Sequence, residues 1–134
     1  DDDVICVLFP TSVIVPVEKL KSGYEQLLNT KADFIITVGR FPHPIQRALS
    51  ISSNQLVSMD NPVAFNSRTQ DNQAKYFDAG QFYWSKAYTY MQKELFPETV
   101  VSAVILEEHE FQDIDETCDW QIAEMKFKQF QLEI

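Results

Sequence analysis

The chain has 134 residues and a formal net charge of −9, from 11 basic and 20 acidic side chains. That length suits one domain with a hydrophobic core of its own, and 45% apolar content excludes a disordered acidic tail. The acidic balance excludes a sequence-independent grip on nucleic acid, which needs clustered Lys and Arg, and equally an anionic membrane surface.

Val4 to Phe9 is a continuous apolar run, the pattern of a strand buried on both faces of a sheet. Pro10-Thr11-Ser12 ends it. Pro16 opens a helix from the first helical position. Val17, Leu20, Tyr24, Leu27 and Leu28 form its apolar stripe, with Lys19, Lys21, Glu25 and Gln26 outside. Asp33 to Val38 is a second apolar strand. Strand, helix and strand in this order predict a βαβ unit and a parallel sheet.

From Gly39 the pattern changes. Phe41-Pro42-His43-Pro44 is rigid and extended. Ile45 to Ser52 and Leu56 to Met59 predict a hairpin turning at Ser53-Asn54-Gln55. Asp60 to Gln73 is a long polar loop, a length that usually carries function. Hairpin and loop together read as an arm leaving the body. Tyr76 to Trp84 returns as a strand around Gly80. Ser85 to Leu95 predicts a short helix, Val100 to Leu106 a strand, and Glu116 to Ile134 a final helix. In that helix Trp120, Ala123, Phe127 and Phe130 share one face.

Few residues carry obvious chemistry. The three glycines make no glycine-rich phosphate loop. Cys6 and Cys118 are too few and too far apart for a disulfide framework or a zinc site. Cys6 reads as a small buried hydrophobe of a reducing compartment, the cytoplasm. No apolar run is long enough to span a bilayer. Asp1-Asp2-Asp3 has the wrong charge for a secretory signal, so none is expected. His43 and His109 have no nucleophile nearby in sequence.

The sharpest local signal is Asp113-Ile114-Asp115. At a strand end the two carboxylates point to one side, where they can face a hard cation such as magnesium. The plainer reading is that Asp115 caps the last helix and Asp113 is solvated. Arg68, near Gln70 and Asp71, offers a fork for a carboxylate or phosphate, or pairs with Asp71. Arg47 with Gln46 admits the same two readings. Thr11 and Ser12 follow a buried strand, where open α/β sheets bind ligands. Gly80 permits close backbone approach among core-type aromatics.

In order along the chain, Leu8-Phe9-Pro10-Thr11-Ser12, Phe41 to Leu49, Ser67 to Asp71, Asp78 to Trp84, and Gln112 to Asp115 with Asp119-Trp120 resemble one family. It is the cytidylyltransferases that make CMP-activated nonulosonic acids, most closely the pseudaminic acid branch. The resemblance implies an α/β fold: part of a Rossmann-like nucleotidyltransferase sheet, mixed and mostly parallel, with a protruding hairpin arm. It implies that CTP and a nine-carbon α-keto acid sugar give CMP-sugar and pyrophosphate. It implies magnesium on Asp113 and Asp115, with Arg68 near the reacting phosphate. It places Thr11, Ser12, Gln70, Asp71, Gly80, Gln81 and Tyr83 at the substrates. The arm, about residues 40–68, would join a homodimer and carry Gln46 and Arg47 toward the partner's site.

The chain also departs from that pattern. Phe9 stands where sialic acid relatives carry Gln, and Ala79 where they often carry Asn, so sialic acid is a poorer fit as substrate. Glu116 stands where the family has a helix-capping Thr, and Glu caps poorly. The family's basic, glycine-containing loop for the CTP phosphates has no counterpart here. The chain is therefore expected to be the C-terminal portion of a single cytidylyltransferase domain, inactive alone. Two other readings are a fragment of a CMP-sialic acid or CMP-legionaminic acid synthetase, and a non-catalytic dimerising module for sugar or nucleotide.

Overall fold

The computed structural model describes residues 3–66, 68 and 72–132. They form two compact units. One comprises the residues up to Gly39 and those from Asp78 onward; the other is Arg40–Phe77.

The first unit is built on a four-stranded sheet. The strands are β1 (Val4–Leu8), β2 (Phe34–Arg40), β5 (Tyr76–Lys86) and β6 (Val101–Leu106), in the order β1-β5-β2-β6. β3 (Leu49–Ile51) and β4 (Val57–Met59) belong to the second unit. The helices are α1 (Val17–Asn29), α2 (Ala87–Gln92) and α3 (Thr117–Leu132).

β2 is buried from Phe34 through Gly39, as its unbroken apolar run predicts. The similar run in β1 is only half-buried, because β1 lies at one end of the strand order. Cys6 shares this half-burial, and desolvation pushes its thiol up to about 11.

The sheet is mixed but not mostly parallel. β2 and β6 are parallel, whereas β1 and β5 are antiparallel. β5 also runs against β2: Thr37 meets Gln81 and Phe82, while Asp33 meets Ser85 further along. The βαβ unit is therefore split, with β5 inserted between its two strands. The cause is the excursion through residues 40–77. Its two ends are joined where the Phe41 N–H donates to the Lys75 carbonyl at 3.0 Å. A strand that re-enters beside the exit of the previous one must run backwards.

α1 covers one face of the sheet, with Pro16 just outside it as N-cap. Its buried positions are Gly23 and Leu27, whereas Val17, Tyr24 and Leu28 stay exposed. The helix is rotated from the predicted stripe because Gly23 lets it close on Trp84. A Cβ at Gly23 would lie 2.8 Å from Trp84 Cδ1, and the indole N–H donates to the Leu20 carbonyl at 3.0 Å. The predicted seam of α3 is likewise mostly open. Ala123 is buried, but Trp120 is 53% exposed, and a cavity of about 350 Å³ lies between them, Glu124, Phe127 and Val13. Among the described residues no helix is long and apolar enough to cross a membrane.

The second unit holds the predicted hairpin. β3 and β4 are antiparallel, with Leu49 opposite Met59 and Ile51 opposite Val57. The Gln55 N–H donates to the Ser52 carbonyl and the Ser52 N–H to the Leu56 carbonyl, at 2.9 and 3.0 Å. This closes a three-residue loop whose last residue, Gln55, is left-handed at φ 65°. Short 3-10 turns, Ile45–Arg47 and Pro62–Asn66, flank the hairpin.

Candidate functional site

The carboxyl end of β1 and the start of β5 form one corner of the first unit. The Ser12 hydroxyl donates to the Gln81 carbonyl at 2.6 Å, and the Phe9 N–H reaches the same carbonyl at 3.4 Å. Thr11 lies exposed at the tip. Ser12 thus tethers the loop after β1 to β5.

Gly80 has φ +60°, and no atom lies within 4 Å of the place a Cβ would occupy. Its N–H donates to the Asp78 carboxylate at 2.9 Å. The other oxygen of that carboxylate receives the Tyr83 hydroxyl. Burial, reinforced by Asp78, pushes the Tyr83 phenol far above the ordinary tyrosine range. The Phe9 ring meets Tyr83 edge-on, with centroids 5.4 Å apart. Gln81 is 2% exposed. Its Nε2 donates to the Ala79 carbonyl at 2.8 Å, while its Oε1 is buried without a partner among the described residues. The Thr37 hydroxyl takes the N–H groups of both Gln81 and Phe82 at 3.1 and 3.3 Å.

Asp113 and Asp115 follow β6 but sit in irregular backbone, not at a strand end. The chain first makes a 3-10 turn, Glu108–Glu110, held from two helices. Lys19 of α1 donates to the Ile105 carbonyl at 2.9 Å and pairs with Glu110 at 3.4 Å. Lys126 of α3 donates to the Phe111 carbonyl at 2.9 Å and lies over the Phe111 ring. Burial holds its ammonium below the ordinary lysine range.

Asp113 and Asp115 are exposed, with Ile114 half-buried between them. Asp115 is not the cap of α3. The Asp119 carboxylate instead accepts the N–H groups of Asp115 and Glu116 at 3.1 and 2.8 Å. That is the returning half of a capping box, and it does the work the Glu116 side chain does not. Two exposed carboxylates suit a magnesium ion that keeps most of its waters. No cluster of three or more metal-type side chains occurs among the described residues.

The carboxyl ends of β1, β2 and β6 and the start of β5 lie at one end of the sheet. Inter-strand spacing puts the β1 corner about 14 Å from the β6 end.

The remaining candidates lie in the second unit. The Gln46 Nε2 donates to the Gln73 carbonyl at 2.9 Å, and its Oε1 is buried without a partner among the described residues. Arg47 is half-buried at the end of its turn. Arg68 is exposed, with its carbonyl accepting from Asn72 at 3.0 Å. Gln70 and Asp71 lie outside the described residues.

Asp78, Phe9 and Asp119 join the site without having been singled out for these roles. Asp78-x-Gly80 is a turn signature and was the available signal. Phe9 stood out only as a departure from the sialic acid relatives, and Asp119 only as part of a motif.

No family model matches the chain. The pseudaminic acid cytidylyltransferase of Campylobacter jejuni subsp. jejuni serotype O:2 is 29% identical over 126 residues, covering 94% of this chain and 54% of that protein. Its counterpart from serotype O:23/36 matches equally, at 29% over 126 residues. A Helicobacter pylori protein is 30% identical over 134 residues, 98% of this chain and 25% of that protein. It is named pseudaminic acid cytidylyltransferase and UDP-2,4-diacetamido-2,4,6-trideoxy-beta-L-altropyranose hydrolase. The chain spans about half the length of the Campylobacter relatives, 54%. It is thus a relative of proteins named pseudaminic acid cytidylyltransferase, matched by them along nearly its whole length.

Proposed function

We propose that this chain supplies the sugar-binding and metal-binding part of a cytidylyltransferase. That enzyme joins CMP from CTP to a pseudaminic acid-type sugar and releases pyrophosphate. The observation that carries the reading is convergence at one sheet end. The Ser12 and Gly80–Tyr83 corner lies there, and the chain that leads to Asp113–Asp115 leaves β6 from the same end, in a chain similar to enzymes of that name. The sheet is read as part of a Rossmann-like nucleotidyltransferase fold, the rest of the domain being the half of the relatives that this chain does not span.

The reaction is attack by the anomeric hydroxyl on the α-phosphorus of CTP, with pyrophosphate as leaving group. Asp113 and Asp115 are assigned as the magnesium ligands. When bound, the ion offsets phosphate charge as a Lewis acid. Ser12 fixes the loop after β1 against β5, and Gly80 keeps the backbone open to the sugar. Arg68 is assigned to the anionic reactants, with Gln70 and Asp71 beside it in sequence. Holding both reactants along one strand-end crevice supplies orientation.

The hairpin is read as a dimerisation arm. Leu49, Ile51, Val57 and Met59 line one face of it, and Ile51 is 72% exposed. An isolated two-stranded hairpin is marginal in water, so an apolar face of this kind calls for a second copy. Gln46 and Arg47 then reach the partner's reactants. The enzyme is assigned to the cytoplasm.

Turnover of labelled CTP by the protein carrying this sequence tests the reading, with a panel of nonulosonic acids. Labelled CMP-sugar is expected, and Asp113→Ala abolishes it while the melting temperature holds. No product with any acid in the panel overturns the reading. Full turnover in Asp113→Ala removes the metal assignment alone.

A further inference from the structure

We propose that Lys126 is a positioning residue for the carboxylate pair. With Asp119 it fastens the Asp113–Asp115 segment to α3 on both sides, and the pair binds a divalent cation only as well as that fastening holds. This rests on the metal assignment above.

α3 packs by an unusual face. Asp119, Ala123 and Lys126 are spaced by four and three residues, so they share one side of the helix. Ala123 is buried and the two charged residues are half-buried. The large apolar residues Trp120, Ile122, Met125 and Phe127 are all exposed. An amphipathic helix docks by its apolar stripe. α3 instead turns inward a small residue flanked by two charged ones, and both charged side chains bind the same piece of backbone.

That piece bears the carboxylates. The Lys126 ammonium donates to the Phe111 carbonyl at 2.9 Å, two residues before Asp113, and lies 5.5 Å from the centre of the Phe111 ring. The Asp119 carboxylate accepts the N–H groups of Asp115 and Glu116. One anchor precedes the pair and the other closes it. Between them burial alternates: Gln112 and Ile114 are half-buried, Asp113 and Asp115 exposed. Extended backbone gives this alternation, and it sets Asp113 and Asp115 on one side, about 7 Å apart along the chain. The turn upstream is fixed separately, by Lys19 of α1 on Glu110.

Two carboxylates on a loose segment bind a hard cation poorly, because the ion must order the chain that carries them. A segment fastened on both sides is ordered already. The ammonium has a second, opposite effect, since its charge repels a cation through space. Tether and charge therefore predict opposite signs, and Lys126→Met separates them. Methionine keeps an apolar stem over the Phe111 ring and loses both donor and charge.

Manganese, as a magnesium surrogate, is titrated into the protein carrying this sequence and followed by water-proton relaxation. Lys126→Met is expected to weaken the ion about tenfold or more, the scale for groups that hold metal ligands in place. Lys126→Arg keeps a charged donor and should recover most of that loss. The Asp115 and Glu116 amides should exchange faster in Lys126→Met, with the amides of α3 beyond Ala123 unchanged. Equal or tighter binding in Lys126→Met overturns the proposal and leaves the metal assignment standing. A wild type that binds no manganese removes the assignment and the proposal with it.

Loss of a half-buried lysine can also unfold a chain, so a second measurement needs only the wild type. Ion binding and fastening are linked, so manganese should slow acylation of the Lys126 amine by a pulse of anhydride and leave that of Lys128 unchanged. Mass spectrometry reads both rates. Lys126 acylated equally fast with and without the ion overturns the proposal.

Discussion

The Tyr83 hydroxyl donates to the carboxylate of Asp78, five residues earlier on the same strand. On a straight strand those side chains point to opposite faces and lie about 16 Å apart. They meet because Gly80 takes φ +60° and bends the strand between them. Gly80, Asp78 and Tyr83 are one device.

The Tyr83 phenol gives this device a pH signature. Burial first, then Asp78, raises its folded pKa above the ordinary tyrosine value of about 10. A raised acid binds its proton more tightly in the folded state. The stability it contributes is therefore full below about pH 10 and is lost as pH rises beyond that. Thermal melts from neutral to strongly alkaline pH should fall steeply above about pH 10, and Tyr83→Phe should flatten the fall. Asp78→Asn should lower the phenol titration read by ultraviolet absorbance. An unmoved titration would mean the pair is not formed.

Gly23→Ala tests the seating of α1. The new methyl meets the Trp84 indole at 2.8 Å, a distance real Cβ atoms do not tolerate. Overpacking costs about 1–3 kcal/mol, more than the helix propensity that alanine gains. A lower denaturation midpoint and altered Trp84 fluorescence are expected. A stabilised variant would show that the helix can shift away without loss.

Some of this was readable in advance and some was not. β2 announced itself because burial on both faces demands an unbroken apolar run. β1 carries a similar run yet ends the strand order, and composition alone does not state a strand's neighbours. The direction of β5 was not legible, since the re-entry of the excursion at Lys75 decides it. The hairpin turn at Ser53-Asn54-Gln55 was legible from its polar residues. The carboxylate pair was visible as a spacing, but the 3-10 turn at Glu108–Glu110 places it in irregular backbone. Asp78 headed the Asp78–Trp84 motif, but its pairing with Tyr83 was not legible because it depends on a bend two residues away, at Gly80.

Asp33 is predicted to tie the segment after α2 to β2. Lys93 donates to one of its oxygens at 2.5 Å, and the Val100 N–H to the other at 3.0 Å. The Lys93 hydrogen bond chiefly, then that from Val100, holds the carboxyl below the ordinary aspartate range. A depressed acid stabilises above its unfolded pKa of about 4 and loses that contribution as pH falls further. Asp33→Asn should flatten the acid limb of the stability profile. Lys93→Met should cost under about 1 kcal/mol, as exposed pairs do. An identical acid limb in Asp33→Asn would rule the tie out.

Gln55→Gly should strengthen the hairpin. A left-handed Gln is strained by roughly 1–2 kcal/mol, and glycine takes the same φ freely at some cost in unfolded-chain entropy. Slower hydrogen exchange at the Ser52 and Gln55 amides is expected. Faster exchange would mean that the Gln55 side chain earns its place by a contact with another chain.

Asp119→Ala reaches furthest into the proposed chemistry. Its carboxylate holds the N–H groups of Asp115 and Glu116 across the entry to α3. Losing such a cap costs about 1 kcal/mol, and here it also frees the backbone that presents Asp115. Asp119→Asn keeps an acceptor oxygen and should retain most of both effects. The measurement is manganese affinity, as a magnesium surrogate, beside the melting temperature. Asp119→Ala should weaken the ion well beyond what its small stability loss explains, and Asp119→Asn should recover it. If affinity holds in Asp119→Ala while stability falls, Asp119 only starts the helix and the carboxylate pair is positioned without it.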